Sequence, residues 1–211
     1  LVGHQTTGTL DAAEYNTGVG LAALDAITTG DNNTSLGNNS LSANTTGSDN
    51  VALGYNALAA NTTKGQNIAI GRNALAVQTD GGEFNVAVGA YSLDENTLGD
   101  KNVALGYVAL GKNTEASYNT GIGTESLKLT TTGANNTALG NAAGDVISTG
   151  SQNVLLGAST DPSANDGTNQ TVVGYNATGL ANNSVTLGNA DVTAVYMAQD
   201  AGATIHAAGI T

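Results

Sequence analysis

The chain has 211 residues with 29 glycines, one proline, no tryptophan, no cysteine and 10% charged residues, which excludes a core built on large aromatic side chains, a disulfide framework and a thiolate metal site. Seventeen Asp and Glu against five Lys and Arg leave a net charge of −12, which repels a phosphate backbone and argues against nucleic acid as a partner. No run of about 18 apolar residues is present, so direct membrane insertion by a helix is not expected. The pattern is already under way at Leu1-Val2-Gly3, as in a segment of something longer.

Along the chain one unit recurs: Asn, then Val or Thr, a small residue, an aliphatic, Gly, two variable positions, Ala or Ser, and Leu. Asn50-Val51-Ala52-Leu53-Gly54-Tyr55-Asn56-Ala57-Leu58 is the clearest copy. Its glycine stands at Gly3, Gly20, Gly37, Gly54, Gly71, Gly89, Gly106, Gly123, Gly140, Gly157 and Gly174, every step being 17 residues except one of 18. A second glycine, usually preceded by Thr, lies seven residues earlier in most copies, at Gly30, Gly47, Gly82, Gly99, Gly133, Gly150 and Gly167. Insertions and deletions, such as the shift to Gly65, fall at this second turn, where loops tolerate length change. A period of 17 is too long for one strand and too short for a strand plus an ordinary helix. The pattern predicts an all-β parallel β-solenoid of about 17 residues per coil, with two turns and two short strands per coil. At roughly 4.8 Å per coil the rod is on the order of 50 Å long.

Each recurring slot has an expected place. The residue before the turn glycine, Leu53, Ile70 and Leu105 among others, is aliphatic in every copy, and the terminal leucine recurs as Leu58, Leu75 and Leu110; both are expected in the core. Turn and ladder roles fall to Asn50, Gly54, Asn67, Gly71, Asn102, Gly106, Asn136 and Gly140, the asparagines stacking in a column that bonds to its neighbours or to the turn backbone. The alternative use of that column is to bind a ligand. Between the apolar slots lies a third, occupied by Gly18, Ser35, Ala52, Ala69, Ala87, Ala104, Gly121, Ala138, Leu155 and Val172. It is nearly always small and never charged, and by strand alternation it faces away from the Leu53-type side chains. Close approach of another backbone explains the smallness and predicts a homo-oligomer of parallel rods; a single flattened coil with this slot inside is the competing arrangement.

Asn50-Val51-Ala52-Leu53-Gly54, Asn67-Ile68-Ala69-Ile70-Gly71, Asn102-Val103-Ala104-Leu105-Gly106 and Ser184-Val185-Thr186-Leu187-Gly188 resemble the repeats of the YadA-like head of trimeric autotransporter adhesins. The longer form with Ala-Leu and Thr-Thr-Gly is similar to the repeat region of phage-type tail fibres. The resemblance covers residues 1 to about 188. It implies a left-handed β-roll, three chains side by side, an extracellular location on a cell surface appendage or virion fibre, and attachment to a host surface through a glycan or protein. The period is longer than in the adhesin heads, and no heptad stalk or membrane anchor is present. Residues 184–211 resemble the segment that precedes a self-cleaving chaperone domain in tail fibres. The expected organisation is a repeat domain over residues 1–183 and a terminal coil with connector over 184–211.

Residues for catalysis are few. His4 and His206 stand at opposite ends of a rod, and no cofactor is expected. Asp31, Asp49, Glu83 and Asp100 recur near the Thr-Gly turn, but the equivalent places hold Ala134, Ser151 and Gln152 elsewhere, so solvated loop charge fits better than a calcium row. Tyr55, Tyr107 and Tyr175 share the position after the turn glycine and could stack on sugar rings. Thr28-Thr29, Thr45-Thr46, Thr62-Thr63 and Thr131-Thr132 raise ice binding. The expectation is therefore a non-enzymatic structural or adhesive fibre segment, with a passive spacer and an ice-binding solenoid as alternatives.

Overall fold

The computed structural model describes residues 12–79 and 81–195. His4, His206 and the connector after residue 195 lie outside the described residues. Eleven short strands form one parallel sheet in sequence order: β1 (Thr17–Val19), β2 (Thr34–Leu36), β3 (Val51–Leu53), β4 (Ile68–Ile70), β5 (Val86–Val88), β6 (Val103–Leu105), β7 (Thr120–Ile122), β8 (Thr137–Leu139), β9 (Val154–Leu156), β10 (Gln170–Val173) and β11 (Ser184–Leu187). Like residues pair with like, Val51 with Ile68, Ala52 with Ala69 and Leu53 with Ile70. The chain is a parallel β-solenoid. No helix among the described residues is long and apolar enough to cross a membrane.

Each coil carries one strand rather than the two expected. The segment around the Ala-Leu pair is an arm of consecutive turns, in which the second and fourth residues after the turn glycine have positive φ: Asn39 and Leu41 at 59° and 48°, Asn56 and Leu58 at 55° and 50°. A left-handed leucine costs roughly 1–2 kcal/mol, but its full burial returns roughly 1.5–3 kcal/mol. The arm also bonds from coil to coil as a strand would, Leu41 N donating to Ala57 O (3.0 Å) and Leu58 N to Ala74 O (3.0 Å). The inter-coil bonds survive while the extended conformation does not.

The core lies between strand and arm, and it corrects the expected orientation of the strands. Leu58, Leu75 and Leu110 are fully buried, as expected, but they pack against the small slot: Ala52, Ala69, Ala87, Ala104 and Ala138 are all fully buried in the same cluster. A Cβ built on Gly121 would come 3.4 Å from Leu110 Cγ, which shows why this slot stays small. Leu53, Ile70 and Leu105 point the other way. Leu53 is 39% exposed and Leu105 44%, and Ile70 is half-buried. The smallness of the Ala slot therefore arises inside one chain, as in the single-coil alternative. It does not mark a contact between chains.

The asparagine column forms as expected. Asn102 Oδ1 accepts from Asn119 N (2.9 Å), while Asn102 Nδ2 donates to Asn85 Oδ1 (3.2 Å) and to Ala116 O (2.8 Å). Asn50 repeats all three bonds, while Asn67 and Asn136 keep two of them, Oδ1 accepting from the next asparagine N and Nδ2 donating to a turn carbonyl; all three are fully buried. The turn glycines, Gly54, Gly71, Gly106 and Gly140 among them, form a second column with φ of 136°, 137°, 145° and 144°. A Cβ on Gly106 would sit 2.4 Å from Gly123 O, so both the dihedral and the stacking demand glycine there.

A second buried amide column, which the sequence did not suggest, follows the arm. Asn44, Asn61, Asn96 and Asn113 each donate from Nδ2 to a carbonyl three residues on, at 2.8–3.0 Å. In the 18-residue coil this place is taken by Gln78, whose longer side chain reaches Gly82 O, four residues on, at 2.5 Å. The added residue thus falls in the turn, where the spacing of glycines puts it. The step from β10 to β11 is shorter, Gln170 pairing with Ser184.

Candidate functional site

Two features stand out on the surface, the outward face of the sheet and the flanks beside it. Strand alternation sends the first and third residue of each three-residue strand outward. From Thr17 and Val19 in β1 to Val185 and Leu187 in β11, every such position holds Thr, Val, Ile or Leu. Leu36, Leu53, Leu105, Leu139 and Leu187 are among the exposed large hydrophobic residues. No charge interrupts this strip, although the molecule carries a net −12. At about 4.8 Å per strand it is on the order of 50 Å long and two side chains wide.

On one flank, just past the turn glycine, Arg72 lies between two tyrosine rings, its Cζ 5.7 Å from the Tyr55 centroid and 5.8 Å from that of Tyr91. Tyr91 meets Tyr107 edge to face, with centroids 6.2 Å apart at 87°. Tyr55 and Tyr107, three coils apart in sequence, are thereby joined into one patch, and they are 49% and 51% exposed. Tyr175 is 73% exposed and lies outside the patch. Arg72 occupies the tyrosine column one coil beyond Tyr55, so that column held the signal for it. Tyr91 stands one residue later, after Ala90, at the arm position whose φ is left-handed, 59° here.

The other flank, just before the strands, holds a second sandwich that the sequence did not reveal. Lys101 Nζ lies 5.9 Å from the Phe84 centroid and 5.0 Å from that of Tyr118, and it donates to Tyr118 Oη (3.2 Å). Lys64 pairs with Glu83 at 3.7 Å, Lys112 with Glu95, and Lys128 with Glu125 at 2.7 Å. Among the described residues, Arg72 and Lys101 are the cations held by aromatic rings instead of carboxylates.

The acidic and threonine rows serve the coils. Asp31 Oδ1 accepts from Glu14 N (2.7 Å) and Asp100 Oδ1 from Glu83 N (2.8 Å). Ser48, Ser117 and Ser151 accept the same bond through their hydroxyl oxygens, from the backbone N–H of Asp31, Asp100 and Ala134 in the preceding coil. Among the described residues no three His, Cys, Asp or Glu come together as metal ligands. Thr28, Thr45 and Thr131 each give their hydroxyl to a carbonyl one coil away, at 3.0–3.1 Å. One member of each of these three threonine pairs is thus committed to stacking and not turned to solvent as a flat array.

Asp161 is the most strongly displaced titratable group among the described residues. It stands four residues after Gly157, where Leu24, Leu41 and Leu58 stand in earlier coils. Burial, and then the charge of Asp145, pushes its pKa up to about 6. At the β11 end, Asn176, Thr178, Leu180, Thr186 and Asp191 line an open cleft of about 490 Å³, in which Asp191 is the one ionisable side chain among the described residues.

Fold and surface together define a repetitive rod with an uncharged apolar strip and two cation-aromatic flanks. No family model, no curated protein and no solved structure matches the chain.

Proposed function

We propose that this chain is a non-enzymatic segment of an extracellular attachment fibre, in which three copies pack as parallel rods through the outward strip of the sheet. The observation that carries this reading is the strip itself, whose outward positions hold only Thr, Val, Ile or Leu across eleven strands. An area on the order of 500 Å² is at the upper limit of what a soluble monomer leaves bare. Burying Leu53 and Leu105 against a partner rod recovers roughly 25 cal/mol for each Å² of apolar surface removed from water. The contact proposed here is on the opposite strand face from the Ala slot. The resemblance to adhesin heads and tail fibres supports the trimer and the surface role. The uniform register from β1 to β9 favours a second reading, in which the rod only holds a binding tip away from its anchor.

Sedimentation equilibrium of the full chain at micromolar concentration tests the assembly. The expected mass is that of three chains. Leu105→Glu combined with Ile122→Glu should reduce it to one chain while preserving the β signal in circular dichroism, since both side chains lie outside the coil. A single-chain mass for the unaltered protein refutes the trimer.

A further inference from the structure

We propose that Tyr55, Arg72, Tyr91 and Tyr107 form a recognition patch for a saccharide bearing a single carboxylate. The guanidinium offers five N–H donors in a planar fork that matches a carboxylate. Among the described residues no acidic side chain pairs with Arg72; its contacts are the Tyr55 and Tyr91 rings at 5.7 and 5.8 Å. Rings on either side hold the guanidinium in place, so a ligand need not order it. Tyr55 and Tyr107 are about half exposed and present ring surface on which the apolar face of a sugar can lie. They stand three coils apart, about 14 Å at the inter-strand spacing, the reach of a short oligosaccharide.

Charge narrows the ligand further. A net charge of −12 repels a polyanion along the whole rod, so nucleic acid and highly sulfated polymers are disfavoured. A ligand with one acid group and otherwise neutral rings experiences the Arg72 contact at short range and little of that repulsion beyond a Debye length of about 8 Å. The patch is local, since the same column holds Asn38, Thr124 and Asn141 in other coils.

The inference rests on the proposed surface role but is tested apart from it. The full chain is titrated, with saturation-transfer NMR, against sialyllactose, lactose and sulfated lactose, and its mass is measured in parallel. Sialyllactose should bind with a dissociation constant on the order of 1 mM per site, and lactose and sulfated lactose at least tenfold more weakly. Arg72→Lys keeps the charge but loses the fork, and it should weaken sialyllactose at least tenfold, as should Tyr107→Ala, with the assembled mass unchanged. Equal binding of lactose removes the role of Arg72, and equal binding of sulfated lactose reduces the site to charge alone; either overturns the proposal. Absence of saccharide binding by a chain of trimeric mass overturns it and leaves the rod reading intact. Saccharide binding by a single-chain species refutes the trimer and leaves the patch.

Discussion

Asp161 shows how one side chain in the wrong slot couples the fold to pH. Seven earlier coils place leucine four residues after the turn glycine, from Leu24 to Leu127, and in this coil a carboxyl group enters that position. One of its oxygens, Oδ1, is buried without a hydrogen-bond partner. Because the folded-state pKa of about 6 lies above the ordinary 3.8, the folded chain holds the proton more tightly than the unfolded one. The stabilisation from the protonated form is complete below about 3.8 and is lost as pH rises through about 6. Asp161→Asn should therefore stabilise the protein near neutral pH, by about 1 kcal/mol once solvent screening of a half-exposed group is allowed for. It should also flatten the rise in stability between neutral and acid conditions. Chemical denaturation across that pH range measures both effects, and an unchanged pH profile would refute the assignment. The identity of Asp161 was visible in the sequence, but its burial was not, because the leucine column had to be placed inside the coil first.

Strand and arm illustrate what a repeat reveals and what it conceals. Alternation told which residues share a face, and the glycine spacing told where the turns fall; neither told which strand face is inside. Assigning the larger residue, Leu53, to the core was reasonable but reversed, because Leu58 reaches in from the arm and leaves room only for Ala52 and Ala69. The second strand failed for a related reason: leucine at positive φ carries no signature that glycine would have given. Complementary volume between the two elements predicts a compensating pair. Where the arm leucine is replaced by Gly144, the facing strand slot grows to Leu155, and a Cβ on Gly144 would meet Leu155 Cδ1 at 2.7 Å. Leu155→Ala alone should cost about 2–5 kcal/mol by opening a cavity, and Gly144→Leu alone about 1–3 kcal/mol by overpacking. Gly144 already has the left-handed φ of 67° that the arm leucines adopt, so the double variant should recover to within about 1 kcal/mol of the parent. Additive losses in urea denaturation would show that the two slots do not share one space.

At the scale of the molecule, each coil touches only its neighbours, so length and cross-section are independent variables. Excising residues 103–119, one full period of 17, joins Asn102 to Thr120 and preserves every column. The shortened chain should remain folded, with its melting temperature within a few degrees of the parent. Excising residues 103–111 breaks the columns and should abolish cooperative melting. Unfolding of the full-period variant would contradict this modular picture. The flanks mark the limit of what the sequence disclosed: the Tyr55 and Tyr107 column was legible, whereas Phe84, Lys101 and Tyr118 acquire meaning only when coils are stacked.

The glycine column bears on how such a chain changes through descent. With Gly123 O only 2.4 Å from where a methyl group on Gly106 would lie, any side chain in this column forces neighbouring coils apart. Copying or losing a whole period keeps the glycine, asparagine and leucine columns in register. Variation is thereby channelled into reach: whole periods can be added or removed with the cross-section unchanged, whereas a change in the cross-section must be accommodated by the coils on either side.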